Sequence, residues 1–356
     1  MKIDYVITGM DIGGAEMQVV ELLLELKNRG HSVRLISLTT PVDLIQRLQR
    51  QNIPVISLDM QGFISSLYGV LKLIYLIKKH KPDVLHSHMF HANIISRCVT
   101  IFIAATPLIC TVHSTNEGGK IRDWIYRLTN RLCYLNTAVS DAAKRRFIND
   151  HVFSKKHTIS VFNGINTEKF LIAKNKKKDK FRWLTVGRLV SVKNQIAIVQ
   201  AMHKLPKSEL TIVGDGPEKY KLRKYIIDNG LEKRVCLVGS SLDVAKYYNM
   251  ADGFVLASKY EGFALVVAEA MASGLMVVTT ECGGPSEILG KDNGIIVPQG
   301  NVDDLSSAMA EVEKISYEDR YALGIQGRAR VESLFSIKKI VSEWEAIYCH
   351  AVKKTT

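Results

Sequence analysis

An alternation of short apolar runs with longer helical stretches most constrains how this chain can fold, and it occurs twice in 356 residues. In the first half, a strand predicted over Ile3–Thr8 leads through the loop Gly9–Gly14 into a helix predicted over Ala15–Arg29. The alternation restarts at Arg182–Gly187. Strands that alternate with helices form parallel sheets covered on both faces. The sequence therefore predicts two doubly wound α/β domains.

The remaining elements follow the same pattern. In the first half, strands are predicted over Val33–Leu38, Val55–Leu58, Val84–Ser87, Ile109–Val112, Leu135–Val139 and Thr158–Val161, and helices over Ile64–His80 and His91–Ala105. In the second half, strands are predicted over Leu210–Val213, Val235–Val238, Gly253–Leu256 and Met276–Thr279. Ligands of such sheets bind beyond the carboxyl ends of the strands, so we expect the two domains to face each other across a ligand-binding cleft.

The predicted domains are residues 1–170 and 171–336. The charged stretch Lys174–Lys180 has no periodicity and reads as the linker. A last helix is predicted from Ile337 to Val352, within a C-terminal segment 337–356, and packing back on the first domain is one option for it.

Composition limits the class of protein. Apolar residues make up 47% of the chain and charged residues 23%, which is typical of a globular domain. The six cysteines form no C-x-x-C pair, which argues against disulfides or zinc. The N-terminus lacks a signal-peptide core, and the longest apolar run, Ile101–Cys110, is too short to span a bilayer. We expect a cytoplasmic protein that is at most peripheral to a membrane.

The net charge of +13 is partly concentrated in Lys120–Lys156, which holds nine basic and three acidic residues. Apolar residues recur there at helical spacing: Ile121, Trp124, Ile125, Leu128 and Leu132. Basic residues lie on another face or follow in the next segment: Lys120, Arg127, Arg131 and Lys144–Arg146. Such a helix can lie against anionic lipid, but a core-facing helix with a solvated basic side explains the pattern equally well. No nucleic-acid-binding motif accompanies the charge.

The chemistry is concentrated in the segment Lys259–Met271. Gly262 and Phe263 interrupt a strand-like run, and a helical pattern opens just after them. The free N–H groups of that helix end would point toward Gly262, where an anion can be held. Glu261 precedes this end, and Glu269 is predicted about two turns along the helix.

Arg188 and Lys193, upstream, supply the positive charge that phosphate oxygens need. Taken singly, the two glutamates could be ordinary helix residues and the two cations a solvated loop. Together they predict a site for a nucleotide-sugar diphosphate. No D-x-D motif exists to hold a divalent ion, so we expect Arg188, Lys193 and the helix start to neutralise the diphosphate without metal.

An ordered set of motifs closely resembles the retaining GT-B glycosyltransferases of family 4, from about residue 3 to residue 348. Each motif is modest alone, and the order is specific. The motifs are Gly13-Gly14-Ala-Glu16, Thr111-Val-His113, Asn163-Gly-Ile-Asn166, Gly187-Arg-Leu189 with Lys193, Gly214-Asp-Gly-Pro217, Glu261–Glu269 and Gly283-Gly-Pro-Ser-Glu287.

This resemblance implies a donor site in the second domain. Arg188 and Lys193 would bind the donor diphosphate, Glu269 the ribose hydroxyls, and Glu261 a hydroxyl of the transferred sugar. The remaining donor-binding residues would be Gly187, Gly239 and the backbone N–H groups of Phe263, Ala264 and Leu265. From the first domain, Gly14 would approach the phosphates and His113 would lie over the donor sugar. The catalytic group would be His113, Arg188, Lys193 and Glu261.

Three positions depart from the family pattern. Asn166 stands where aspartate is usual, Met276 where proline is common, and Ala264–Val267 is more apolar than in many members. Any charge-dependent role at residue 166 is therefore absent, and the apolar segment is expected to tune the sugar pocket.

The resemblance implies retaining, metal-independent transfer of a hexosyl or N-acetylhexosaminyl group, with a UDP-sugar favoured as donor and no cofactor. The acceptor would be a lipid-linked glycan of bacterial envelope polysaccharide, such as O-antigen, lipopolysaccharide or capsule. Alternatives are transfer to a soluble acceptor, a GT-B epimerase or phosphorylase, and a non-catalytic membrane scaffold. An NAD-binding oxidoreductase is disfavoured because Gly9–Gly14 lacks the G-x-G-x-x-G spacing.

Three further positions could carry chemistry. His86 and His88 are predicted to point to opposite faces of their strand, so a metal site with His91 is not expected, and they would line the acceptor side. His113 could instead be a core histidine. Asp215 is assigned to turn geometry.

Overall fold

The computed structural model describes residues 1–11, 13–40, 44–103, 106–172 and 180–355. The chain forms two compact units, the first comprising residues 1–164 and 337–356 and the second residues 165–336. The domain boundary predicted from the sequence lay at residue 170. Apart from Lys180, the predicted linker lies outside the described residues.

In the described residues, the first unit contains one sheet of seven strands in the order β3-β2-β1-β4-β5-β6-β7, and every pairing is parallel. The strands are β1 Lys2–Ile7, β2 Ser32–Ser37, β3 Val55–Ser57, β4 Val84–His88, β5 Leu108–Val112, β6 Leu135–Ala138 and β7 Thr158–Ser160. The helices are α1 Gly14–Asn28, α2 Ile45–Gln49, α3 Phe63–His80, α4 Phe90–Thr100, α5 Lys120–Thr129 and α6 Asp141–Asn149.

The burial of strand β1 shows that both faces of this sheet are covered. Tyr5 packs into the core that includes α1, and Val6 packs into the core that includes Leu73 and Ile77 of α3. Successive side chains of a strand point to opposite faces, so a strand buried on both sides must be apolar almost throughout. Asp4 is the exception.

Asp4 is fully buried within β1. The Arg34 Nε atom lies 2.9 Å from one of its carboxylate oxygens, and the ring of His80 lies 2.9 Å from the same oxygen. A buried carboxylate is tolerated when cations and hydrogen bonds surround it. This ion pair therefore joins β1, β2 and the end of α3.

The second unit has a sheet of six described strands in the order β10-β9-β8-β11-β12-β13, again parallel throughout. The strands are β8 Phe181–Val186, β9 Ser208–Val213, β10 Val235–Gly239, β11 Gly253–Leu256, β12 Met276–Thr280 and β13 Gly294–Val297. The helices are α7 Gln195–Ala201, α8 Lys219–Asp228, α9 Ala245–Met250, α10 Leu265–Ala272, α11 Gly284–Leu289, α12 Val302–Lys314 and α13 Tyr317–Phe335.

Both sheets confirm the predicted doubly wound α/β class. In each, the strand order reverses beside the first strand of the unit, between β1 and β4 and between β8 and β11. Ligands of open parallel sheets bind outside the carboxyl ends of the strands at such a reversal. The topology therefore directs attention to the loops that follow β8 and β11.

A last helix, α14 Ile337–Thr355, belongs to the first unit. Its Tyr348 hydroxyl lies 2.7 Å from the Tyr5 hydroxyl of β1, and both rings are buried. Its Glu345 binds Arg29 at 2.7 Å and His31 at 2.8 Å, just beyond the end of α1. The helix runs three residues beyond the predicted Val352, and it packs on the first unit by apolar burial as well as by ion pairing.

Two other elements differ from prediction. Helix α4 ends at Thr100, short of the predicted Ala105, and residues 104 and 105 lie outside the described residues. Strand β13 was not predicted, because Gly294–Val297 is a four-residue edge strand that is largely half-buried. In the described part of the chain, no helix combines the length and apolar character needed to cross a bilayer.

Candidate active site

The loop that follows β8 carries three of the predicted site residues. Gly187 has a φ of 155°, and its N–H donates to the Val213 carbonyl at 2.9 Å. Arg188 is exposed, and its guanidinium has no hydrogen-bond or ion-pair partner among the described residues. Lys193 follows within the same loop, before α7. The loop therefore presents Arg188 at the carboxyl end of β8, without a side-chain partner in the part of the chain that the structure describes.

A second glycine turn fixes the backbone of this loop. A Cβ added at Gly214, whose φ is 151°, would lie 1.9 Å from the Gly187 carbonyl oxygen, and one added at Gly216 would lie 2.5 Å from that of Leu189. The Gly214 N–H also donates to the Gly239 carbonyl at 2.8 Å. Only glycine allows this approach of backbone to backbone. Gly239, predicted to bind the donor, thus helps to hold the ends of β9 and β10 together.

Asp215, between these glycines, has the turn geometry that the sequence indicated. One of its carboxylate oxygens accepts from the Gly216 N–H at 2.8 Å, and the other lies 2.6 Å from the Lys219 ammonium. The hydrogen bond from Lys219 lowers the pKa of Asp215.

The loop after β11 meets the loop after β8 through an ion pair. The Lys193 Nζ lies 2.5 Å from Glu261 Oε1, and the buried Ser258 hydroxyl donates to the same oxygen at 2.6 Å. Glu261 is only 9% exposed. A carboxylate buried to that degree needs a cation or several donors, and here it has both kinds of partner.

The loop that follows β12 contacts the backbone of the Glu261 loop. The Glu261 N–H donates to the Cys282 carbonyl at 2.8 Å, and a Cβ added at Gly284 would lie 2.3 Å from the Gly262 carbonyl oxygen. Burial and the nearby Glu261 charge raise the pKa of the Cys282 thiol to about 12. The Gly283-Gly-Pro motif therefore acts as a platform on which the Glu261 loop rests.

Helix α10 begins at Leu265, with Ala264 before it at a φ of 66°. A left-handed alanine is unusual and indicates a tightly determined turn. The buried Phe263 ring packs edge-on against Phe335 at 5.4 Å, which anchors the turn. The Val267 N–H donates to the Ala264 carbonyl at 2.9 Å, whereas the two N–H groups before it precede the first intrahelical hydrogen bond. Glu269 is the fifth residue of α10, about one turn from the start of the helix. The prediction that Glu269 lies about two turns along the helix was therefore wrong, because the helix begins later than expected.

Glu269 has a partner that the sequence did not reveal. The hydroxyl of the fully buried Tyr248, on α9, donates to Glu269 Oε2 at 2.8 Å. Burial, together with the charge of Glu269, raises the pKa of Tyr248 well above its ordinary value, so this hydroxyl stays protonated. Tyr248 belongs to no recognisable motif, and only the fold brings it to Glu269.

The first unit holds the other two predicted site residues. His113 directly follows β5, and its Nε2 lies 3.0 Å from Nδ1 of His88. Its N–H donates to Glu117 at 3.1 Å. Burial lowers the pKa of His113 to about 4, so the ring is neutral at pH 7. Gly14 is the first residue of α1 and is exposed.

The prediction that His86 and His88 point to opposite faces was wrong. Their ring centroids are 4.1 Å apart, because residues two apart on a strand share a face. His86 is bound to Thr111 and Tyr348, each at 2.7 Å. Within the described ranges, no three His, Cys, Asp or Glu side chains are grouped as metal ligands.

The exposure of the side chains of helix α5 partly distinguishes the two interpretations of residues 120–156, a helix that lies against lipid and a helix whose apolar side faces the core. Ile121, Trp124 and Leu128 are 57% to 77% exposed, whereas Asp123 and Tyr126 on the other side are buried. Three of the five stripe residues therefore face outward, whereas Ile125 is half-buried against the core, so the core-facing alternative is wrong for the exposed part of the stripe. An outward apolar stripe is the arrangement expected of a surface that meets lipid or another partner.

Several of the basic residues in this segment are occupied by protein contacts. Arg146 binds the Asp123 carboxylate at 2.8 and 2.5 Å, and Arg127 donates to the carbonyls of Asp150 and His151, each at 2.8 Å. Four basic residues are exposed and have no partner in the described part of the chain: Lys120, Arg131, Lys155 and Lys156. The charge available to a partner is smaller than the sequence count indicated.

Two doubly wound domains in tandem, with Arg188, Lys193 and Glu261 in the loops after β8 and β11 of the second and Glu269 on α10, agree with the resemblance to GT-B glycosyltransferases. Family comparison agrees in both units. Residues 166–330 match the model of the glycosyl transferases group 1, and residues 12–169 match that of glycosyltransferase family 4. The chain belongs to these glycosyltransferases.

Two of the curated relatives are bacterial glycosyltransferases that match most of the chain. The chain is 27% identical over 327 residues to the UDP-Gal:alpha-D-GlcNAc-diphosphoundecaprenol alpha-1,3-galactosyltransferase of Escherichia coli, covering 82% of this chain and 81% of the relative. It is 28% identical over 323 residues to the capsular polysaccharide biosynthesis glycosyltransferase CapM of Staphylococcus aureus, covering 82% and 83%.

A solved structure supports the fold. The Anabaena protein HepE, in complex with UDP and glucose, matches with a TM-score of 0.86 and 22% identity, covering 98% of this chain and 99% of that protein. The architecture is GT-B, as the resemblance implied, and the chain is a nucleotide-sugar glycosyltransferase.

Proposed function

We propose that this protein is a retaining, metal-independent transferase that moves a hexosyl or N-acetylhexosaminyl group from a UDP-sugar to a hydroxyl of a lipid-linked glycan. The product would serve bacterial envelope polysaccharide synthesis, as O-antigen, lipopolysaccharide or capsule. The observation that carries the proposal is the 2.5 Å ion pair between Lys193, in the loop after β8, and Glu261, in the loop after β11, with Arg188 in the first of these loops and without a side-chain partner among the described residues.

In the proposed mechanism, the donor diphosphate binds Arg188 and Lys193, the two cations of the loop that follows β8. Arg188 contributes a planar guanidinium that matches two phosphate oxygens. Lys193 turns from Glu261 toward the phosphate, which leaves the Glu261 carboxylate free to accept from a hydroxyl of the transferred sugar. Positive charge fixed before reaction stabilises the departing UDP as negative charge develops on it.

The nucleoside end is assigned to Glu269. A carboxylate accepts well from a pair of ribose hydroxyls, and the Tyr248 hydroxyl holds Oε2 of Glu269 in position at 2.8 Å. The N–H groups at the start of α10 would face the phosphate or the sugar. These roles place the whole nucleotide along the strand ends of the second unit.

The choice of UDP is supported by relatives. The E. coli relative is named for UDP-galactose, and HepE was solved with UDP. Retention is supported by family membership. As UDP leaves, the acceptor hydroxyl would attack the oxocarbenium-like carbon from the same face, and its proton would pass to the departing phosphate. The neutral His113 would contribute no charge to this step.

The test is a donor panel of UDP-, GDP- and ADP-sugars with a lipid diphosphate-linked sugar acceptor, in excess EDTA. We expect transfer from one UDP-sugar, and, if the donor is the α anomer, an α-linked product whose equatorial anomeric proton shows a small H1–H2 coupling in the NMR spectrum. An inverted product would overturn retention. Loss of transfer on chelation, with rescue by Mg²⁺ or Mn²⁺, would overturn metal independence. Transfer only to soluble glycans would favour the alternative acceptor.

We also propose that residues 120–156 hold the protein at the inner face of the membrane, reversibly and from the cytoplasm. The exposed apolar residues of α5 support this attachment, and so do the four basic residues that have no partner within the described ranges. Each basic residue near an anionic surface contributes about 1 kcal/mol. Attachment of this kind weakens as salt screens the charges.

A quadruple variant tests the attachment: Lys120→Gln, Arg131→Gln, Lys155→Gln and Lys156→Gln. Its matched control changes four exposed lysines of the second unit: Lys207→Gln, Lys224→Gln, Lys233→Gln and Lys291→Gln. We expect the first variant, and not the control, to be released from phosphatidylglycerol vesicles at 0.1 M salt. Equal binding by both variants would remove residues 120–156 from the membrane contact.

A further inference from the structure

Helix α3 carries an exposed apolar surface outside the segment 120–156. Six large side chains of this helix are 58% to 89% exposed: Phe63, Ile64, Leu67, Tyr68, Leu71 and Tyr75. With 100° between successive residues, they lie within about 140° of the helix circumference. They therefore form one continuous stripe along the helix, which we call the α3 stripe.

The opposite side of α3 is also apolar. Gly69, Leu73 and Ile77 are buried, and the last two lie in the core against the sheet. A surface helix of a soluble domain normally turns a polar face to water. Large apolar side chains occupy the exposed side of α3 as well as its buried side. The α3 stripe is therefore better suited to contact with an apolar environment than with water.

The charges around the stripe favour one occupant. Residues 60–82 contain four lysines, Lys72, Lys78, Lys79 and Lys81, and no aspartate or glutamate. Lys78 and Lys79 are exposed in the last turn of the helix, and the Lys79 ammonium lies 5.7 Å from the ring of Tyr75. Aromatic rings with a polar tip and basic side chains are the residues that settle at a membrane–water interface.

We propose that α3 lies in the interface of an anionic membrane, with the α3 stripe inserted at the boundary between headgroups and acyl chains. Its 18 residues give a rod of about 27 Å that would lie in the membrane plane. The inference rests on the proposed function in one respect: a membrane-bound acceptor gives the insertion its purpose.

A second copy of the chain fits this surface less well. An isologous dimer brings the same patch onto itself, so the patch must be self-complementary. Residues 60–82 contain four lysines and no carboxylate, and the exposed aspartates that flank them already have partners within the chain: Asp59 accepts from Ser57 and Thr40, and Asp83 accepts from the Lys2 N–H. Anionic headgroups supply the missing negative charge.

The test compares two triple variants of the full chain. The first replaces part of the α3 stripe with Ile64→Gln, Leu67→Gln and Leu71→Gln. The matched control replaces three exposed apolar residues of the second unit with Tyr220→Gln, Ile227→Gln and Leu242→Gln. Vesicles of equal phosphatidylglycerol and phosphatidylethanolamine are the probe, at 0.5 M NaCl, where surface charge is largely screened.

We expect the first variant to partition onto these vesicles at least about tenfold more weakly than the wild type, while the control binds normally. Unchanged melting temperature and UDP affinity establish that the variants are folded. Equal partition of both variants would overturn the inference and leave the proposed function intact. A wild-type dimer that the α3 variant dissociates would assign the stripe to a second copy instead. Failure of the wild type to bind UDP would contradict the proposed function without bearing on the vesicle result.

Discussion

The Lys193 ammonium lies 2.5 Å from the Glu261 carboxylate, although the two residues are 68 positions apart in the chain. The contact joins the loop that follows β8 to the loop that follows β11, on either side of the point where the strand order reverses. An anionic ligand at this point would compete with Glu261 for Lys193. Such a ligand would have to replace the Glu261 carboxylate as the partner of Lys193, which would free that carboxylate for another hydrogen-bond donor.

Removing Lys193 is predicted to slow turnover. Lys193→Ala takes away a charge that neutralises the leaving group, and we expect kcat to fall by about 10²–10³. The matched control is Lys204→Ala, which breaks an exposed ion pair with Asp303 of 2.8 Å. That variant should keep wild-type kcat. If the two variants are equally active, the assignment of Lys193 is wrong.

Replacing Glu269 is predicted to act on binding. Glu269→Ala should weaken UDP affinity by about 1.5–3 kcal/mol, the range for a hydrogen bond to a charged group. Tyr248→Phe preserves the buried ring but removes the hydrogen bond to Glu269, so we expect a smaller loss of affinity. Calorimetric titration measures both. A larger loss of affinity from Tyr248→Phe than from Glu269→Ala would contradict the proposal that Glu269 binds the ribose and Tyr248 only positions Glu269.

Gly214 provides a test of the loop backbone. In Gly214→Ala the new Cβ would lie 1.9 Å from the Gly187 carbonyl oxygen, so the segment that carries Arg188 must move. We expect a lower melting temperature and weaker UDP binding. The control Gly230→Ala also has a positive φ, 64°, but its Cβ would meet nothing within 4 Å. It should therefore show only the backbone strain of about 1–2 kcal/mol and normal UDP affinity.

Stability should fall in mild acid because of the buried histidines of the first unit. The pKa of His113 is lowered to about 4, below its ordinary value near 6.5. Between these values the unfolded chain binds a proton that the folded chain does not, so stability is full above pH 6.5 and decreases as the pH falls toward 4.

The variant His113→Gln removes this proton uptake. Its melting temperature should fall less steeply than that of the wild type between pH 6.5 and 4, by the equivalent of about 1.4 kcal/mol per pH unit. The exposed His157→Gln is the control and should follow the wild type. Parallel curves for His113→Gln and the wild type would show that His113 takes up its proton in the folded state as well.

The sequence was most informative where one local property decides the structure. The predicted strand over Gly253–Leu256 coincides with β11, and the helix predicted over Ile64–His80 begins one residue late relative to α3. Both are set by apolar periodicity, which is visible in a single sequence. The glycine turns were equally visible because few other residues can occupy them.

Features that depend on distant partners were not accessible in this way. Tyr248 reaches Glu269 through the packing of α9, and Arg146 is neutralised by Asp123 on another helix. Periodicity finds the apolar stripe of α5 but cannot say which way it faces. The error over His86 and His88 is different, because the spacing of two already places them on one face.

We propose that the second unit binds a nucleoside diphosphate through Arg188 and Lys193. The most direct test of this proposal is the calorimetric titration of UDP, in EDTA, into the wild type and into Arg188→Ala. Arg188 has no side-chain partner among the described residues, so its removal disturbs little else. We predict one UDP per chain for the wild type, and affinity lower by about tenfold to a hundredfold for Arg188→Ala at an unchanged melting temperature. Equal affinities, or a wild type that binds UDP only when a divalent metal is added, would contradict the account.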